Sequence, residues 1–158
     1  INLPYTAVYL GLGLATLTAI KSVVAARHPK GYTQSLAYHP DIRRRIGMMS
    51  AELESARWLL RHAAWLADIE GQTAAAQTAF FRAKYMVGEA VTAATRSALE
   101  MGGAHGLFKG SAIERLFRDG ATASIMQPSS DVCLGQISLA ELGLVPEDVQ
   151  APLARGSL

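Results

Sequence analysis

Cysteine is nearly missing from this 158-residue chain: Cys133 stands alone. That excludes an internal disulfide framework and fits a reducing, cytoplasmic compartment. A single thiol among apolar neighbours reads as a small buried residue, not as a nucleophile. Proline (six residues) and aromatic residues (7%) are sparse, while alanine is abundant. Close-set helices suit that composition better than a β-sandwich does. Strong net charge is missing as well. At +2, with no basic stripe interleaved with aromatics, the chain gives no sign of a nucleic-acid surface. No HExxH pair and no clustered His, Asp and Glu at ligand spacing occur, so no metal site is expected. There is no internal repeat and no low-complexity segment.

Charge is also missing from Ile1 to Ile20, which invites reading as a membrane span. Asn2, Pro4, Tyr5, Thr6, Thr16 and Thr18 interrupt the stretch, and no basic cluster precedes it as in a signal peptide. The expectation is no membrane span, but a helix apolar nearly all round that forms the central element of a large bundle. The chain opens on Ile1, not Met, and reads as a piece of a longer protein.

What is there is helical periodicity. Helix one is expected from about Leu3 to about Arg27, stopped by His28-Pro29 because the residue before proline leaves the helical region. His28 to Pro40 forms a long connection of the kind that is more often functional than idle. Helix two is expected from Pro40-Asp41 to Gly71. Ile42, Ile46, Met49, Leu53, Ala56, Leu60, Ala63 and Ala67 alternate steps of four and three, one stripe facing the centre. Trp58 and Trp65, with Leu59, Leu66 and His62 nearby, make a second stripe that suggests packing against another domain or subunit. Helix three should run antiparallel from about Thr73 to Met101, with Phe80, Val87, Val91, Ala94, Ala98 and Met101 inward. Ser111-x-x-Glu114 reads as a capping box opening helix four, along which Glu114–Arg118 and Arg115–Asp119 can pair. A short helix is expected from Asp131, as its cap, to Leu139, with Ser138-x-x-Glu141 and Gly143 punctuating its end. The expected architecture is all-α: an antiparallel up-down four-helix bundle with short C-terminal helices over residues 1–145, and an irregular tail over 146–158.

The chain is organised around Leu99 to Pro128. A helix runs into Gly102-Gly103, a loop punctuated by Gly106 and Gly110 follows, and a charged helix ends in Arg118-Asp119 before Gln127-Pro128-Ser129. Such glycines let backbone approach another surface closely; read alone, the run is a helix C-cap and a turn. Gly102-Gly103-Ala104-His105-Gly106, Ile113-Glu114-Arg115, Arg118-Asp119 and the loop Ile125 to Ser129, in that order after two long antiparallel helices, resemble the C-terminal domain of the acyl-CoA dehydrogenase superfamily. The resemblance covers Leu3 to about Leu139. It implies a four-helix bundle preceded, in the same chain, by an N-terminal helical domain and a central β-domain. It also implies FAD held between domains and across a subunit interface, in a homodimer or homotetramer acting on an acyl-CoA or similar small substrate in fatty acid metabolism.

Carried over residue by residue, the resemblance puts Gly102 and Gly103 where backbone approaches the FAD of a neighbouring subunit. Leu99 replaces the glutamine that usually precedes the pair by three. The family's Arg-x-x-Phe-Gly flavin contact falls on the loop from His28 to Pro40, where Arg27, Lys30 and Tyr32 stand in. His105 is placed to contact flavin or substrate. Gln127 occupies the position of the glutamate base that removes the α-proton of the thioester, and an amide has no useful basicity. Helix one contains no acidic residue to replace it, and Asp131 is the substitute four residues away. The resemblance therefore implies α,β-desaturation of an acyl thioester. The alternatives are a flavin-dependent monooxygenase of the same fold, to whose loops Met126 to Asp131 are similar, or a catalytically dead scaffold or heteromeric subunit. An isolated domain of this kind is expected to be inactive.

Overall fold

The short turn at Gly71–Thr73 lays the two longest helices side by side. In the computed structural model, which describes residues 3–149, α1 (Leu3–Ala26) is followed by α2 (Pro40–Glu70) and α3 (Ala74–Gly102). His39 caps α2, its Nδ1 accepting from Asp41 N at 3.3 Å, and Pro40 sits in the first turn where its missing N–H costs nothing. Thr73 caps α3, its Oγ1 accepting from Ala76 N at 3.2 Å. Then come α4 (Ala112–Gly120), α5 (Ser130–Leu142) and the single turn α6 (Pro146–Val149). Every described element is helical. The tail expected to be irregular thus begins with one helical turn, and its residues 150–158 lie outside the described residues.

Both expected core stripes point inward. Met49, Leu53, Ala56, Leu60 and Ala63 of α2 are buried, as are all six of the α3 residues named above. Ile42 and Ile46 are half-buried against them. The centre of the bundle is α3, not α1. It packs against α1, α2, α4 and α5, because Ala76, Ala79, Ala83, Ala90, Ala94 and Ala98, all buried, keep its girth small on several sides at once. By length and composition α1 is apolar enough to cross a membrane, yet it buries only one stripe, Thr6, Leu10, Gly13, Thr16, Ile20 and Val24. Thr16 tolerates burial there because its hydroxyl donates to Leu12 O at 2.9 Å.

The caps differ from expectation in three places. Ser111 Oγ accepts from Ile113 N at 3.3 Å, one residue short of a capping box. Glu114 pairs with Arg118 at 3.1 Å, as expected, while Arg115–Asp119 forms no ion pair among the described residues. Ser129, not Asp131, caps α5, which runs on to Leu142. Ser138 lies inside it, donating to Gly135 O at 2.8 Å.

Charge ties the start of α2 to the end of α3. Arg45 reaches Asp41 at 2.9 Å and Glu100 at 2.7 Å, with Arg44 and Arg96 joining. Hydrogen bonds from these guanidiniums hold the Asp41 and Glu100 carboxyls below their ordinary range. Stability contributed by a depressed carboxylate is complete above its unfolded pKa and is lost as pH falls through the folded value. The acid limb of thermal stability, below about pH 4, should therefore be shallower in Arg45→Met than in wild type. The effect is small because the groups are largely exposed; identical limbs in a pH series of melting curves would refute it.

Candidate functional site

Three of the residues singled out in the sequence meet at one end of the bundle. Arg27 lies one residue past the end of α1, and its Nη1 donates to Gly102 O at 3.0 Å. The carbonyls at a helix C-terminus lack partners and carry partial negative charge, so a guanidinium is held there by both hydrogen bond and dipole. Gly103, the next residue, has φ of 62°. A Cβ placed on it would come within 3.0 Å of Arg27 Nη1 and 3.4 Å of Nη2. The guanidinium thus lies flat against backbone that only a glycine leaves bare, while the Arg27 residue itself stays exposed and keeps further donors for an anion.

The flanking loops continue this surface. Leu36 N donates to Arg27 O at 2.8 Å, folding the 28–39 connection back onto the end of α1. Gly31, with φ of 86°, turns the loop so that Tyr32 N donates to Pro29 O at 3.1 Å. Tyr32 projects into solvent, 70% exposed, at the edge of a hollow of about 400 Å³ that Tyr38 and His39 also line. Lys30 is exposed beside it. On the other side, residues Gly103–Leu107 form a 3-10 turn. There His105 is exposed and meets the Phe108 ring edge-on at 5.6 Å.

Gln127 is elsewhere. Its connection, from α4 to α5, is laid across the middle of α3. Gly88 allows this approach: a Cβ there would meet Ala123 O at 3.1 Å and Ser124 Cα at 3.3 Å. From Gly88 to Gly102 the helix climbs roughly 21 Å at 1.5 Å per residue. Gln127 is exposed, and its bond to Pro128 is cis. Asp131 is also exposed, in the first turn of α5. Where the connection enters α5, Ser130 Oγ donates at 2.6 Å to the carboxylate of Glu89 of α3.

The residue that sequence reasoning missed is Lys84. It is 3% exposed and donates from Nζ to Ala123 O at 2.9 Å, with the Tyr9 ring 5.8 Å away. Burial pushes its pKa below the ordinary lysine value, and burial raises the thiol of Cys133 next to it. Cys133 Sγ in turn donates to Pro128 O at 3.6 Å. A signal was present: Lys84 falls four residues after Phe80 and three before Val87, on the inward stripe itself.

Comparison with known proteins identifies the family and the fold. The family described as acyl-CoA dehydrogenase, C-terminal domain, matches residues 6–141. Over 121 residues, 77% of this chain and 31% of the relative, the chain is 29% identical to a 3-(aryl)acrylate reductase of Clostridium sporogenes. It superposes with a TM-score of 0.84 and 28% identity on glutaryl-coenzyme A dehydrogenase in complex with glutaryl-CoA, covering 90% of this chain and 35% of that one. The fold also matches butyryl-CoA dehydrogenase from Megasphaera elsdenii, with a TM-score of 0.80 at 23% identity over 89% of this chain and 35% of that one. The chain thus spans about a third of the length of these relatives. It belongs to the acyl-CoA dehydrogenase family, and residues 6–141 are its C-terminal helical domain.

Proposed function

We propose that this domain helps to bind FAD and to build the oligomer of a cytoplasmic flavoprotein that desaturates an acyl thioester between its α and β carbons. The observation that carries the reading is the Arg27 guanidinium held against the bare backbone of Gly102 and Gly103. The donor set fits the cofactor: a permanent cation for its diphosphate, seated on backbone that only a glycine leaves bare. Arg27 and Lys30 would meet the anionic part, with Tyr32 and His105 offering flat rings beside it. FAD supplies the two-electron acceptor when bound. The N-terminal and central domains of the same chain, and a second subunit, would complete its walls. The separation of Gln127 from the glycine pair suits a domain facing two flavins, its own near Gln127 and a neighbour's near Gly103. The Clostridium sporogenes relative is named for reduction of an acrylate double bond, so arylpropionyl and acryloyl thioesters belong among the substrates tried.

A second reading rests on Gln127. An amide cannot remove an α-proton, and a flavin-dependent monooxygenase, in which reduced flavin meets dioxygen, has no such proton to remove. The full-length flavoprotein, mixed anaerobically with a panel of acyl-CoAs, should lose its flavin absorbance within turnover times if it is a dehydrogenase. Oxygen consumption by the externally reduced enzyme, without bleaching by any acyl-CoA, would establish the monooxygenase instead. Silence in both assays would overturn both and leave a non-catalytic subunit.

A further inference from the structure

We propose that Lys84 and Glu89 are positioning residues for the loop that carries Gln127, gripping it at its entry and at its exit. That the loop faces the flavin rests on the proposed function; the grip itself does not. Lys84, Gly88, Glu89 and Thr92 lie at steps of four, one and three along α3, so they share one face of the helix. The incoming chain crosses this face at Gly88. Lys84 Nζ donates to Ala123 O at 2.9 Å, and Thr92 Oγ1 donates to Ser124 Oγ at 3.4 Å. Tyr9 of α1 closes on the same turn, its hydroxyl 3.3 Å from Thr122 Oγ1. Ser130 N then donates to Ser124 O at 2.8 Å and closes a neck, while Glu89 holds Ser130 Oγ.

Between those anchors the loop is bare. Ala123 is fully buried, whereas Ile125 is 70% and Met126 53% exposed, and Gln127 follows them into solvent. A loop fixed at its neck and free at its tip presents its side chains in a set place, as a site seated on rigid elements requires. The residue types support that role over a purely structural one. Lys84 is the one buried side chain among the charged residues of α3, and it makes no ion pair among the described residues. An apolar side chain of similar length would fill the space without the cost of desolvating a charge. What the lysine adds is a donor on a long stem, which reaches a carbonyl on another element. Glu89 is exposed and fills no core; its specific contact is the hydroxyl at the loop's exit.

The test uses the full-length flavoprotein, any other accessible cysteine changed to serine, with a nitroxide attached at Gln127→Cys; Cys133 is buried and should not react. The label's paramagnetic resonance spectrum should be restrained in this background and should turn mobile in Lys84→Met and in Glu89→Ala. A label at Glu52→Cys of α2 should keep its line shape in both. Glu89 is exposed, so its variant keeps the test standing whatever Lys84→Met does to the fold, which circular dichroism and flavin content report. A merely structural lysine would shift the melting midpoint and leave the label at 127 unchanged. In the unlabelled enzyme, the limiting rate of flavin bleaching by an acyl-CoA should fall by about tenfold to a hundredfold in both variants, at an unchanged half-saturating concentration. A label still restrained in a variant would overturn that residue's part. A loosened label with an unchanged bleaching rate would overturn the positioning role. If no acyl-CoA bleaches the wild type, the desaturase reading fails and the label alone decides the inference.

Discussion

Gly103→Val is expected to lower flavin retention by the whole enzyme at least tenfold while leaving α3 folded. At φ of 62° an L-residue pays about 1–2 kcal/mol, and a β-branched one is a true outlier. The new Cβ would stand 3.0 Å from Arg27 Nη1, so its methyl groups would drive the guanidinium off the Gly102 carbonyl. A hydrogen bond to a charged group contributes about 1.5–3 kcal/mol. Both costs fall at the last turn of the helix, away from the alanine-lined centre of α3, so the thermal midpoint should drop by several degrees without loss of helix. Binding responds more steeply. About 1.4 kcal/mol of lost interaction is tenfold in affinity, and displacing the cation removes a charge-assisted contact of at least that size. Arg27→Met separates the two effects: it removes the cation and its hydrogen bond without backbone strain, and should lower retention with a smaller loss of stability than Gly103→Val. The ratio of flavin to protein absorbance after gel filtration reads both variants. Full flavin in Gly103→Val would place the cofactor elsewhere.

The large features were legible because they depend on spacing alone. A four-and-three pattern in α2 and α3 identifies the inward stripe whatever the partner helix is, so Leu53, Val87 and Val91, all fully buried, were readable from sequence. The identity of the central helix was not. Hydropathy made α1 look central, but a helix is central when it is thin on many sides, and that is a property of alanine, which hydropathy weights weakly. The site divides in the same way. Gly102-Gly103 stands out as a pair of residues without side chains, and Arg27 as a cation just past a helix end; their meeting is a tertiary fact across 75 residues. The α5 cap was missed because Ser129 and Asp131 are both good caps, and only the backbone path chooses between them. Lys84 was missed because a charged residue on an inward stripe reads as an interruption until its hydrogen-bond partner is known.

That lysine gives the other large effect. Lys84→Ala is expected to destabilise the domain by about 2–4 kcal/mol, whereas Lys84→Met stays within about 1 kcal/mol of wild type. Each buried methylene of the stem is worth about 0.8 kcal/mol, and losing the donor leaves the Ala123 carbonyl buried without its partner, at about 1–3 kcal/mol. Against these stands the cost of burying an ammonium that no carboxylate neutralises by an ion pair among the described residues. Alanine loses the stem and the donor together. Methionine keeps the stem, so the orphaned carbonyl is roughly offset by removal of the charge. The pH dependence separates the variants further. Burial depresses the folded pKa of Lys84, so between that value and the unfolded one the unfolded chain binds more protons, and stability rises with pH. Cys133 acts the opposite way: its raised folded value loses stability above about pH 9, and more so in Lys84→Met, which lacks the cation that holds it down. The wild-type curve minus the Lys84→Met curve should therefore climb as pH approaches the ordinary lysine range, about 10.4; a flat difference would mean that the ammonium is not desolvated. The readout closest to function is local. Lys84 of α3 holds Ala123, Cys133 of α5 donates to Pro128, and Ser130 at the start of α5 reaches Glu89 of α3, so the connection carrying Gln127 is pinned between the two helices. Amide exchange of residues 122–130 should quicken in Lys84→Met while α2 and α3 exchange as before, because the loss is confined to the one carbonyl that the ammonium held.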